Sequence, residues 1–151
     1  MALSQTLTTS FKVEILDGIH NFGTGVVRAT TAADTFKIAL YSTLASLDST
    51  TTVYSTTEEV TGTGYTAGGN TLVISQAPTS TNTETIAWLN FDNSSWANAS
   101  FSAAGALIYN STQGNKAVAV LNFGGTKTVS NQTFTVTFPA STSSAAIIRI
   151  T

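Results

Sequence analysis

The hexapeptide Thr133-Phe134-Thr135-Val136-Thr137-Phe138 alternates a large apolar side chain with a threonine at every step. Successive side chains of an extended strand point to opposite faces, so a period of two directs Phe134, Val136 and Phe138 into a core and three hydroxyls toward solvent. Pro139 removes a backbone donor and ends the run. A second run, residues 35–41, places Phe36, Ile38 and Leu40 on one face and Lys37, Ala39 and Tyr41 on the other. Ala117-Val118-Ala119-Val120-Leu121 is apolar throughout and reads as a central strand covered on both faces. Further strands are expected over residues 58–63, 71–75, 84–90, 99–109, 117–123 and 145–150, separated by turn-rich segments such as Tyr65-Thr66-Ala67-Gly68-Gly69-Asn70 and Asn122-Phe123-Gly124-Gly125. Eight short strands with little helix predict an all-β fold: an antiparallel β-sandwich of the jelly-roll kind, with an immunoglobulin-like Greek key as the alternative.

The polar side of these strands is made of hydroxyls rather than charges. Threonine supplies 29 of the 151 residues, and charged residues only 9%, against about 25% in a typical soluble domain. A mean hydropathy of +0.17 with a formal net charge of -2 excludes a disordered chain, which combines low hydrophobicity with high charge. The six cations, Lys12, Arg28, Lys37, Lys116, Lys127 and Arg149, form no stripe that would neutralise phosphates, so no nucleic-acid partner is expected. Without cysteine there is no disulfide framework, thiol nucleophile or thiolate metal site. No run approaches the roughly 20 apolar residues of a membrane span, and the first residues lack a signal-peptide pattern. The expectation is a soluble protein with no membrane partner and no export signal of its own.

One segment has a helical period. Phe11, Ile15, Ile19 and Phe22 recur in steps of four, four and three, which predicts a short N-terminal amphipathic helix over residues 10–21. Ser10 would cap it, Glu14 suits the helix dipole, and Gly18, Asn21 and Gly23 weaken or end it. Residues 1–9, uncharged and without a period, read as a flexible N-terminal arm. A single sandwich domain, including the helix, then spans residues 10–151. Residues 23–33 read as a loop or a short edge strand.

Chemistry-bearing constellations are sparse. His20 follows Asp17 by three residues; the pair reads either as an oriented base or as a cation placed favourably near a helix C-terminus. One histidine and no cysteine leave a transition-metal site without ligands. Glu58 and Glu59 are adjacent in an expected strand, so they point to opposite faces and read as a solvated edge rather than a glycosidase pair. Glu84 with Asp92, and Asp34 with Asp48, are the other carboxylate pairings considered, and neither has the spacing of a calcium loop. No Gly-x-Ser-x-Gly elbow or phosphate loop occurs. Four Asn-x-Ser/Thr triplets, at Asn93, Asn98, Asn110 and Asn131, compare with about three expected by chance in so Ser/Thr-rich a chain. Trp88, Phe91 and Trp96 cluster in sequence; they read as core residues or, for Trp96 above all, as an exposed platform for a sugar or a partner.

The segments Thr35-Phe36-Lys37-Ile38-Ala39-Leu40-Tyr41, Gly62-Thr63-Gly64-Tyr65-Thr66-Ala67-Gly68-Gly69, Ala104-Gly105-Ala106-Leu107-Ile108-Tyr109-Asn110 and Ala117-Val118-Ala119-Val120-Leu121-Asn122-Phe123-Gly124 resemble a family of small virion proteins of tailed bacteriophages. The resemblance runs from about residue 10 to the C-terminus and brings no catalytic residues. It implies a non-enzymatic structural protein without cofactor or metal. The expected role is that of a capsid cement or decoration protein, which binds the outside of the head, bridges subunits of the major capsid protein and is itself a homodimer or homotrimer. Such a protein is assembled in the host cytoplasm and resides on the capsid surface. The alternative is a tail or fibre module that binds host-surface glycans. The candidate interface comprises Phe11, Ile15, Ile19, Phe22 and Trp96, with the helix stripe docked on the sandwich or on a neighbouring subunit.

Overall fold

The structure, a computed structural model, describes residues 3–8, 10, 11, 15, 18–24, 33–80 and 86–150. Its strands are β1 (Thr6–Leu7), β2 (Phe36–Tyr41), β3 (Asn70–Thr71), β4 (Ile74–Ser80), β5 (Ala87–Phe91), β6 (Ser94–Asn110), β7 (Lys116–Val136) and β8 (Ile148–Ile150). They form two antiparallel sheets, one of five strands in the order β1-β7-β6-β2-β3 and one of three in the order β4-β5-β8.

The hairpin of β6 and β7 dominates. Seventeen residues of β6 at about 3.3 Å per residue would reach roughly 56 Å, more than the roughly 40 Å across a domain of this size. The register of the ribbon shifts at four places. At one of them Gly105 pairs with Asn122 while Ala103 pairs with Lys127. The extra residues include Gly124 and Gly125, at φ +70° and +133°, conformations that glycine adopts without a Cβ penalty. Asn122-Phe123-Gly124-Gly125 was expected to reverse the chain between two strands. It is instead a bulge inside one, so the strand expected over residues 117–123 and the first four residues of that expected over 133–138 are both parts of β7. Bulges bend a strand and increase its twist without ending its pairing.

The alternation read from the sequence holds on the distal part of β7. Phe134, Val136 and Phe138 are buried, while Thr133, Thr135 and Thr137 are exposed. β2 occupies residues 36–41 as expected, and Ala117, Val118, Ala119, Val120 and Leu121 are all buried. The five-stranded sheet is covered on both faces over its central part. One face sets Phe36, Ile38, Leu40 and Ile108 into a core shared with Leu89, Phe91 and Ile148 of the other sheet. The second face sets Ala39, Tyr41, Leu107, Tyr109 and Val120 against Leu3, Ala45 and Leu47.

Other elements differ from expectation. Residues 58–63 are not a strand; Glu59 and Thr63 make only isolated bridges, to Tyr41 and Ser100. Positive φ at Glu58, Gly62 and Gly64 keeps this stretch from extending. Within the expected arm of residues 1–9, Thr6 and Leu7 pair with Val120 and Ala119, and Leu3 and Thr8 are buried. An uncharged segment has no charge to desolvate on lying along a free sheet edge, and the ladder replaces the hydrogen bonds its backbone made to water. The helix expected over residues 10–21 falls largely outside the described residues. The chain has left any helical path by Gly18, which takes φ +67°, rather than at Asn21.

Candidate functional site

Of the residues expected to form an interface, Phe11, Phe22 and Trp96 are buried within the molecule itself. Phe11 is fully buried and Phe22 buried, while Ile15 is partly buried against the same core and Ile19 is half-buried. Phe22 stacks on Phe36 at 4.4 Å and meets Phe11 edge-on at 6.0 Å, and Phe36 approaches Phe91 at 5.9 Å. This aromatic column packs Phe11 and Phe22 of the N-terminal segment against Phe36 of β2 and, through it, Phe91 of β5. Trp96 is only 4% exposed, enclosed by Tyr65 and Phe134, which corrects its reading as an exposed platform. Being on the core-facing parity of β6, opposite Phe134, it has no route to the surface. The structure thus brings Phe11 and Phe22 into ring contact and places Trp96 elsewhere in the same core. The indole N–H groups of Trp88 and Trp96 are both buried, with no hydrogen-bond acceptor among the described residues.

A polar cluster lies where the N-terminal segment meets the β6–β7 turn. The Asn110 side-chain amide donates to Asp34 Oδ2 at 2.8 Å and faces His20 Nδ1 at 3.1 Å. Its Oδ1 accepts the backbone N–H groups of Thr112 and Gln113, both at 3.1 Å. Gln113 reaches the other oxygen of Asp34 at 3.3 Å. His20 is held against Phe11, ring centroids 4.9 Å apart. Asp17 lies outside the described residues. Every group here completes a turn or a segment contact, and Asn110, one of the four triplet asparagines, is fully buried. The partners are far apart in the chain, so no spacing rule would have assembled them.

A second cluster gathers the protein's four tyrosines around one carboxylate. The Tyr54 and Tyr65 hydroxyls donate to Glu59 at 2.7 and 2.6 Å, and the Gly68 N–H adds a third bond at 2.7 Å. Tyr109 donates to the Gly68 carbonyl at 2.8 Å and stacks on Tyr54 at 4.6 Å. Tyr41 donates to the Ser55 carbonyl at 2.6 Å. Burial, reinforced by the negative charge of Glu59, raises the pKa of all four phenols, that of Tyr109 to about 12. Phenols held this strongly protonated are donors, not bases. The arrangement fastens residues 54–69 along β2, with Tyr54 packed on the second face of the large sheet and Val60 and Tyr65 in the core of the first, and Glu59 is the fastening, not the solvated edge expected of it. Glu58 beside it is exposed.

The remaining carboxylates stand apart. Asp48 closes a turn of its own with Thr50, whose hydroxyl and backbone N–H hold its pKa down. Asp92 is exposed, and Glu84 lies outside the described residues. Among the described residues no group of three or more His, Cys, Asp or Glu is placed to hold a metal ion, and no helix is long and apolar enough to cross a membrane.

What the surface offers instead is a broad uncharged face on the distal ribbon. Ser95 meets Thr135 at 2.9 Å and Ser102 meets Thr128 at 2.7 Å, hydroxyl to hydroxyl across the strands. Asn98, Ser130 and Asn131 are exposed beside them. Comparison of the chain with models of protein families, with curated proteins and with solved structures gives no match.

Proposed function

We propose that this chain is a non-enzymatic structural protein of a tailed-bacteriophage virion, a cement or decoration protein that binds the outside of the head and bridges subunits of the major capsid protein. The single observation that carries the proposal is the ribbon face of Ser95, Ser102, Thr128 and Thr135, rigid through cross-strand hydroxyl pairs and free of charge. Such a face docks on a protein lattice by hydrogen bonds without the desolvation cost that buried charges carry. The resemblance of four segments to small phage virion proteins supports the same reading. In it the protein resides on the capsid surface after assembly in the host cytoplasm, associates with itself as a dimer or trimer, and engages neither nucleic acid nor membrane. For the fold, the proposal is a sandwich of jelly-roll connectivity, ahead of an immunoglobulin-like Greek key; the core to which both sheets contribute supports the sandwich packing. The glycan-binding alternative has lost its platform, because Trp96 is buried.

Stoichiometry tests the role. In purified virions the protein is expected in hundreds of copies, in fixed ratio to the major capsid protein, and purified protein is expected to bind shells that lack it. A dozen copies or fewer would place it in the tail and refute the decoration role.

A further inference from the structure

We propose that two copies of this chain pair edge to edge through β7, antiparallel about a two-fold axis near Phe134, so that their five-stranded sheets become continuous. This deepens the self-association part of the proposed function and names its surface.

The distal part of β7 has a partner on one side only. Residues 132–136 pair with β6 from Ala99 to Ser94; the opposite edge carries β1 alone, and β1 reaches only Val120 and Ala119. Among the described residues nothing else pairs there. Soluble proteins blunt free edges with charge, proline, bulges or a covering segment. Here the bulge at Asn131, φ +51°, and Lys127 lie upstream, and Pro139 lies downstream. The interval reads Gln-Thr-Phe-Thr-Val, uncharged and of high β-propensity, the composition that pairs most readily with another strand.

Beside this edge opens a groove of about 470 Å³, walled mainly by Leu121, Phe123, Phe134, Val136 and Phe138, with Lys127 the one charged residue of its lining. Backbone donors and acceptors next to apolar pits specify an extended strand as occupant. Three considerations make that strand a second copy. A foreign strand would pass the free edge to itself, whereas a two-fold pair of the same strand leaves none exposed. The interval carries no charge, so like pairs with like without the repulsion of opposed cations. The antiparallel mode is the one by which β1 already adds to this same edge. Pairing about Phe134 sets Thr133 opposite the partner's Thr135 and brings the two grooves side by side, each closing the other.

The test uses the free full-length chain, so that its failure leaves shell binding to be judged separately. Sedimentation over a wide concentration range is expected to show a monomer–dimer equilibrium. Hydrogen exchange is expected to slow at least about tenfold at residues 132–136 as the dimer fills. The double substitution T133K/T135K sets ammonium groups across the axis and is expected to raise the dissociation constant at least about tenfold, while T61K, on an exposed loop away from this edge, leaves it unchanged. A monomer at every concentration, a trimer, or a dimer whose exchange protection lies elsewhere would overturn the proposal. The exchange measurement on the unmodified chain decides the matter even where T133K/T135K fails to fold.

Discussion

Glu59 accepts three hydrogen bonds, from two phenols and one backbone N–H. A hydrogen bond to a charged acceptor contributes about 1.5–3 kcal/mol, roughly twice a neutral one. Glu59→Gln removes the charge and turns one acceptor oxygen into a donor that faces a hydroxyl. The expected loss is about 2–4 kcal/mol, read as a lower urea midpoint at unchanged m-value. A variant as stable as the parent would show the cluster to be incidental. The same residues set a pH dependence. Each phenol has an ordinary value of 10.0 and is raised in the folded protein, Tyr109 to about 12. The folded state therefore holds its phenolic protons more tightly than the unfolded chain. Their contribution is complete below pH 10, declines as pH rises from 10 toward 12, and is gone beyond the folded values. Phenolate absorbance is expected to appear together with loss of structure in that alkaline range; four tyrosines titrating near 10 in an intact fold would refute the clasp. Little of this was legible in the sequence. Phe134 and Val136 announce their burial by parity, but Glu59 looked like half of a solvated pair, because its inward turn is set by Glu58 at φ +59° and by tyrosines elsewhere in the chain.

At the scale of elements, what could be read depended on whether a strand declared itself by alternation. β2 and the distal end of β7 did, since one face of each carries only large apolar side chains. The chain from Thr126 to Gln132 carries mostly hydroxyl and amide groups and pairs with β6 nonetheless, because the bulge at Gly124 and Gly125 lets the hairpin continue. Glycine marked a bend in both this segment and the one before β3, yet for different reasons. Gly124 has φ +70° with open space around it, whereas Gly69 has φ +66° and a Cβ there would overlap the Ile38 carbonyl. The two sites separate backbone strain from contact. Gly124→Ala is expected to cost about 1–2 kcal/mol, the left-handed penalty alone. Gly69→Ala adds a clash that only a shift of β3 away from β2 would relieve, and is expected to cost more than about 3 kcal/mol. Thermal unfolding of the two variants side by side checks the difference; equal losses would mean that the turn before β3 yields without cost.

For the whole molecule, under the proposed decoration role, the scarcity of charge is the property that would decide how it meets a shell. Five of the six cations are Lys37, Lys116, Lys127, Arg149 and Lys12, none adjacent to another, and the ribbon face of Ser95, Ser102, Thr128 and Thr135 has its hydroxyls already paired in register. Long-range attraction therefore contributes little, and contact must come from fit and short hydrogen bonds. Salt separates this from an electrostatic attachment, because at about 1 M the screening length falls to about 3 Å. Binding of the purified protein to shells is expected to change less than about threefold between low salt and that concentration. Introducing charge into the face is expected to do what salt does not: S102D/T128D forces two carboxylates to lose water on docking, an effective penalty of several kcal/mol per unpaired ion, and should weaken binding at least about tenfold while the unbound protein stays folded. A steep fall of affinity with salt, together with indifference to S102D/T128D, would move the contact from the hydroxyl ribbon to the scattered charges and remove the reason for a chain so rich in threonine.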